Sequence, residues 1–463
     1  MLSFTLLFNK GNKRLSFGIL NILINLTFTK KGEMLFGNDE NIILNIATFL
    51  GKNKNDIIFL EYGILLIKHM TCKNSLVKQI LVKYNIIDFF NEIYQKFVLN
   101  GEIMEDLIIC LGHFIDSRFD KNKDILYSIS IIKSQLNKSI PTQSLVKYVY
   151  ILYNLALYKN DVIIKKMIDE DIHKTLMELF PFNEEKYVNT KNDDKFNYIN
   201  NIEIKEKDSD EKDFQNLRLL IIKLLTKLLG IEDDGFTQKI IDSGLCLFLN
   251  KLLEFSDIKI IKNAFFCIQN ICCGSYGQIA QLYDNKTIKL TLLVARNVNE
   301  TLNSTNQFIN NLSKKDFVTA LKEIDRVFSL LIINSLFDRL IPLVEYDNYL
   351  IILLLLESFK YLDDDDKKDN DLISLIVRAI SKLLDFFKNN SDEKGDNIAL
   401  NNFIKLLEKN GFKEILGKLQ YNSDEEIMIA AEKIFDEYFD INDDNNSDKI
   451  NINDIIEDYE KED

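Results

Sequence analysis

One pattern restricts the fold of this chain more than any other: apolar helical stretches recur, each with a residue held off its core stripe near the end. The clearest copy is Asn263–Gly274, NAFFCIQNICCG. Read as a helix, it places Ala264, Phe265, Ile268, Ile271 and Cys272 on one apolar stripe. Phe266 and Asn270, four residues apart, share a different face. Equivalent positions fall at Asn25 in GILNILINLTFT, His69 in IKHMT, His113 in LGHFID, Asn154 in LYNLAL and Lys227 in TKLLG. Consecutive members of the series, ending at Asn270, are 44, 44, 41, 73 and 43 residues apart.

All but the long step match the roughly 40–47-residue period of HEAT and armadillo helical repeats. The long step contains Asn183–Asp213, a polar stretch read as a loop insertion; subtracting about 30 residues restores the period. Beyond Asn270, a helix over Phe317–Ile332 puts Leu330 at the equivalent place, after a second polar insert, Asn297–Lys315. Between these positions each unit has one grammar: a short helix, a second helix, then the ladder helix. In one unit the segments are Leu245–Glu254, Ser256–Cys273 broken near Ile260, and an exit loop Gly274–Gly277. The C-terminal part comprises Ile341–Lys388, with an acidic loop at Asp363–Asp366, and Asn401–Phe439. No such unit can bury its apolar face alone, so stacked neighbours must supply a continuous core. The expected object is all-α, an armadillo-repeat right-handed α-superhelix over residues 1–439, with an acidic disordered tail over 440–463.

Composition agrees. Only 16 glycines and 3 prolines in 463 residues argue against an all-β or doubly wound α/β design, which needs many tight turns. A formal charge of −14 argues against nucleic acid and anionic membranes as partners and favours a basic one. The six cysteines form no Cys-x-x-Cys pair and read as small buried hydrophobes in a reducing compartment. The Leu2–Phe8 run precedes its cations, Lys10, Lys13 and Arg14, unlike a signal peptide. Tyr349–Leu356 is far shorter than the roughly 20 residues of a membrane span. No glycine-rich phosphate loop, metal-ligand spacing or nucleophile–base arrangement is visible, so neither an enzyme, a metal nor a cofactor is expected.

Two stretches resemble importin-α (karyopherin-α), the armadillo-repeat adaptor for nuclear localisation signals. Ile261–Asn285 looks like one of the family's repeats, with Asn270 ending its Trp-x-x-x-Asn element, Gly274 following, and Gln278 and Ile279 opening the next helix. Glu408–Phe439 is similar to the family's terminal repeat at Gly411, Ile415, Leu419, Gln420, Tyr438 and Phe439, with an acidic tail following. In such an adaptor, concave-face Trp rings make slots for Lys or Arg stems, and the Asn one turn later bonds the ligand backbone. The resemblance implies peptide-binding roles for Asn25, Asn154 and Asn270, with His69 and His113 on two other rungs. Positions where the family carries Trp read Asn21, Leu65, Ile109, Tyr150, Lys223, Phe266 and Arg326, leaving rings at Tyr150 and Phe266 alone. Lys227 and Leu330 lack the rung amide, Lys223 and Arg326 would repel a cation, and Glu323 matches an acidic position.

The implied function is that of an adaptor shuttling between cytoplasm and nucleus, binding basic peptide segments of cargo proteins and meeting importin-β and an export receptor. The family's basic N-terminal arm, which binds importin-β, has no counterpart at the start of this sequence. The competing expectation is an armadillo scaffold of the same descent that has lost cargo binding and holds, for example, a structural or motor protein.

Overall fold

A computed structural model describes residues 13–29, 32, 36, 39–72, 74–96, 101–115, 122–157, 160–182, 209–255, 257–303, 311–345, 349–363, 366–394 and 398–439. Among them every regular element is helical. The chain divides into two compact units, the first ending at Phe248 and the second continuing from Leu249.

The first unit holds α1 (Lys13–Thr27), α2 (Glu40–Lys52), α3 (Ile57–Thr71), α4 (Ser75–Lys83), α5 (Ile86–Lys96) and α6 (Gly101–Ile115). There follow α7 (Asn122–Gln135), α8 (Thr142–Leu157), α9 (Asp161–Asp169), α10 (Ile172–Leu179), α11 (Ser209–Leu229) and α12 (Asp234–Asp242). Helix α13 (Leu245–Leu253) spans the unit boundary. The second unit continues with α14 (Ile258–Cys272), α15 (Tyr276–Asp284), α16 (Thr287–Asn303), α17 (Asn311–Asn334), α18 (Phe337–Val344) and α19 (Leu350–Ser358). It closes with α20 (Lys367–Lys394), α21 (Ile398–Lys409), α22 (Phe412–Leu419) and α23 (Glu425–Tyr438).

The order is that of three-helix repeats, seen in α4–α5–α6, α9–α10–α11, α15–α16–α17, α18–α19–α20 and α21–α22–α23. Within each unit the third helix of a repeat packs on its counterpart in the next. In the first unit α1 meets α3, α3 meets α6, α6 meets α8 and α8 meets α11; in the second α14 meets α17, α17 meets α20 and α20 meets α23. This is the all-α, armadillo-type solenoid expected from the period.

Short polar side chains start these helices. Asp39, Asn74, Asn160, Asp233, Asp257 and Asp424 each accept a hydrogen bond from a backbone N–H two residues on, at 2.9–3.1 Å, satisfying a donor the helix leaves unpaired. These caps correct two expected boundaries. Helix α14 is unbroken at Ile260, because the interruption lies just before it, at its cap Asp257. Helix α15 begins inside the expected exit loop, where Ser275 and Gln278 form a reciprocal capping box. The expected insert Asn297–Lys315 is also largely helical at both ends: α16 runs to Asn303 because Val298, Thr301 and Leu302 continue its buried stripe. Most of Asn183–Asp213, the Leu2–Phe8 run and the tail lie outside the described residues; Ser209–Asp213 begins α11.

Cys110, Cys246, Cys267 and Cys272 are buried as expected, whereas Cys72 and Cys273, just past the apolar stripes of α3 and α14, are exposed.

The residues that suggested a terminal repeat have packing roles. Gly411 takes φ +81° at the start of α22, a conformation other L residues adopt at a cost. Phe439 is fully buried, its ring 6.2 Å from that of Phe412, and the Tyr438 hydroxyl donates to Asp385 at 2.9 Å. Phe439→Ala should therefore cost about 3–5 kcal/mol, read as a lower urea midpoint for the second unit.

A titrating group is buried in the first unit. The His173 Nε2 lies 2.9 Å from Ser243 Oγ, whose own proton goes to the Lys239 carbonyl, so the imidazole donates from Nε2. Its Nδ1 is buried without a partner. Burial pushes the His173 pKa down to about 4. As pH falls below about 6.5 the unfolded chain takes up this proton while the folded one does not, so stability drops until pH reaches the folded value. The loss totals on the order of 3 kcal/mol. Urea unfolding at several pH values between 7 and 4 should show it, and His173→Gln should flatten the slope in that window.

Candidate functional site

The helices that pack on their counterparts carry every candidate peptide-binding residue: Asn25, His69, His113, Tyr150, Asn154, Phe266, Asn270 and Glu323. On α14 the anticipated division holds: Ala264, Phe265, Ile268, Ile271 and Cys272 have no accessible surface, and Phe266 and Asn270 are half-buried. On α8, Tyr148, Val149, Leu152 and Leu155 are core, Asn154 is half-buried, and Tyr150 is 52% exposed. Each pair thus puts a ring and an amide one turn apart outside the core.

The first-unit rungs before Asn154 differ from one another. Asn25 is exposed near the end of α1. The His69 ring stacks edge-on against Phe28, centroids 4.6 Å apart. Burial lowers its pKa, the Lys68 ammonium adds to that, and the Asp106 carboxylate opposes it. His113 Nδ1 sits 3.0 Å from Thr71 Oγ1, which donates its own proton to the Ile67 carbonyl at 2.7 Å; the imidazole therefore bridges α6 to α3 from Nδ1–H. Both histidines are thus engaged in packing between repeats. Lys223 and Lys227 on α11 are exposed.

Several carboxylates on these helices are already matched. On α6, Asp106 holds Lys68 of α3, and Glu105 holds Lys147 of α8 together with the Ser144 hydroxyl at 2.7 Å. The Lys147 and Ser144 contacts outweigh burial and keep the Glu105 carboxyl below its usual range. In the second unit Glu323 accepts from Gln269 Nε2 at 2.8 Å and lies 3.7 Å from Arg326 Nε. Arg326 in turn donates to the Lys368 carbonyl at 2.9 Å. The acid that the resemblance would use to attract a ligand cation is therefore already beside one from its own helix. Next to it Asp325 is fully buried and accepts from the Ser358 hydroxyl; burial pushes its carboxyl pKa well above the usual value, against the lowering effect of that hydrogen bond and of Arg326.

The ladder also continues beyond Leu330. Helices α20 and α23 are its next members, and they bring Arg378, Lys382 and Lys433 to one cleft. Continuing the apolar period through Leu383 and Ile434 would have exposed these off-stripe cations.

The arrangement offers sites for extended peptide, with rings to cover aliphatic stems and amides that both donate and accept. No described helix is long and apolar enough to cross a membrane. No family model and no curated protein matches the chain. Among solved structures it is similar to an engineered protein from the Northeast Structural Genomics Consortium, at 13% identity and TM-score 0.53, covering 94% of this chain and 97% of that one. A designed armadillo repeat protein in complex with the peptide (KR)4 is 18% identical at TM-score 0.43, covering 66% of this chain and 97% of that one. The first of these likenesses speaks for fold and not for ligand, and neither singles out importin-α. The chain has an all-α, armadillo-type repeat fold.

Proposed function

We propose that this protein is a peptide-binding adaptor of the importin-α kind, taking extended basic segments of cargo proteins at Tyr150/Asn154 in its first unit and at Phe266/Asn270 in its second. Such an adaptor would carry nuclear localisation signals between cytoplasm and nucleus, with importin-β and an export receptor as transport partners. The observation that carries the reading is Tyr150. The core of α8 is complete without it, yet a large ring stands 52% exposed one turn from an amide. An exposed ring beside a two-way hydrogen-bonding group suits a lysine stem and the peptide bond that follows it.

A second reading, a scaffold for a partner that is not basic, draws on specific residues too. Lys223 and Lys227 stand exposed on the next ladder helix, and Arg326 already occupies Glu323.

Titration with a labelled lysine-rich peptide and its Lys-to-Ala counterpart, at two salt concentrations, separates the readings. The adaptor binds the basic peptide more tightly and loses affinity as salt rises. Indistinguishable affinities would leave the scaffold reading in its place. Tyr150→Ala with Asn154→Ala should weaken the basic peptide roughly tenfold, from losing about 0.5–1 kcal/mol at each group, without lowering the melting temperature.

Restoring a lost rung provides the converse. Lys223→Trp with Lys227→Asn removes two cations and adds a ring and an amide, so the same titration should show tighter basic-peptide binding.

A further inference from the structure

The second unit carries a cleft whose chemistry is opposite to that of the protein as a whole. It is open, about 390 Å³, and lies between α17, α20 and α23. Ile333, Val377 and Ala430 line its apolar part, and Arg378, Lys382 and Lys433 bring three cations to it. Asp385 is its one carboxylate among the lining residues, and that group already accepts the Tyr438 hydroxyl at 2.9 Å.

The three cations are held differently. Lys382 is half-buried; its ammonium donates to the Ile333 and Ser335 carbonyls at 2.7 and 3.2 Å and lies 4.8 Å from the Phe337 ring centre. These contacts fix one positive charge in place at the end of α17. Arg378, one turn earlier on the same face of α20, and Lys433, across the cleft on α23, are exposed. Like charges one helical turn apart repel, and an anion between α20 and α23 relieves that repulsion. A chain with formal charge −14 that gathers three cations around an apolar floor has built a place for carboxylates.

The sequence supplies such a group next door. Phe439 is fully buried, and its carbonyl accepts from Lys413 Nζ at 3.1 Å, so the path of the chain leaving α23 is anchored there. The residues that follow, Asp440–Asp463, hold ten Asp or Glu against two Lys. From Phe439 back to the level of Lys433 is about 9 Å along the helix, and an extended chain covers about 3.3 Å per residue. Asp443, Asp444 and Asp448 are therefore within easy reach of all three cations.

We propose that this cleft is a carboxylate-binding surface and that its occupant is the chain's own acidic segment Asp440–Asp463. Seated there, the segment covers the ladder-helix face at α17, α20 and α23, so any other ligand for that face must displace it. This does not depend on the adaptor reading, because the cleft contains none of the ring–amide pairs.

Zero-length carbodiimide coupling of the dilute full-length protein, followed by mass spectrometry, tests it. The expected result is intrachain links from Lys433 and Lys382 to carboxylates of Asp440–Asp463. Arg378→Glu, an exposed substitution on α20 whose folding is checked by its melting curve, should cut those links at least roughly fivefold, the change that about 1 kcal/mol brings. Links that are absent, or that persist undiminished in Arg378→Glu, would overturn the proposal, since proximity in sequence alone is untouched by that substitution. Links found between molecules instead of within one would also overturn it, and would assign the segment to a second copy.

Discussion

Helix α14 leaves Ala264, Phe265, Cys267, Ile268, Ile271 and Cys272 with no accessible surface at all. A helix buried around so much of its circumference needs neighbours on more than one side, and one repeat cannot provide them. Each such side chain contributes about 1.5–3 kcal/mol only when the next repeat covers it. The packing of every third helix on its counterpart is thus what the remaining structure depends on. It fixes the repeat length, the alternation of short and long helices, and the row of off-core positions from which any ligand face must be made.

The polar contacts follow from the same stacking. Lys13–Asp56, Lys54–Glu92, Lys68–Asp106, Lys83–Glu40 and Lys147–Glu105 in the first unit, and Lys322–Asp369 and Lys388–Glu437 in the second, all join positions one repeat apart. Exposed pairs such as Lys83–Glu40 add little individually. Lys322–Asp369, with the Asp369 side chain 8% exposed, is the better shielded, and both carboxylate oxygens accept from the ammonium. These pairs also have a functional consequence. Carboxylates that hold a neighbour's lysine are less able to attract a ligand's lysine, so the recognition proposed above would rest on rings and amides.

How much of this was legible in the chain depended on the kind of residue. Core positions such as Phe265 and Leu152 announce themselves through helical periodicity, and the aspartates and asparagines at helix starts mark boundaries by their caps. The site was half legible: Tyr150, Asn154, Phe266 and Asn270 stand outside the core as the period demands. His69, His113 and Glu323 were placed on the right helices, but the period says nothing of Phe28, Thr71, Gln269 or Arg326, which engage them. Of the residues that carried the resemblance, Gly411, Tyr438 and Phe439 are accounted for by a positive φ, a hydrogen bond and a buried ring. Such residues report how a terminal repeat closes more directly than what the protein carries.

The chain by itself determined the class of the fold, because a period near 43 residues and scarce turn-formers leave stacked helices as the way to bury the apolar stripes. It also determined which face of each ladder helix is free, because helical geometry separates residue 266 from 265 and 150 from 149. What only the tertiary structure decided is the company those off-core residues keep. Partners 40–60 residues away, such as Gln269 for Glu323 or Thr71 for His113, are set by the offset between neighbouring helices. That offset is fixed by side-chain interdigitation across the repeat interface, which no local pattern encodes.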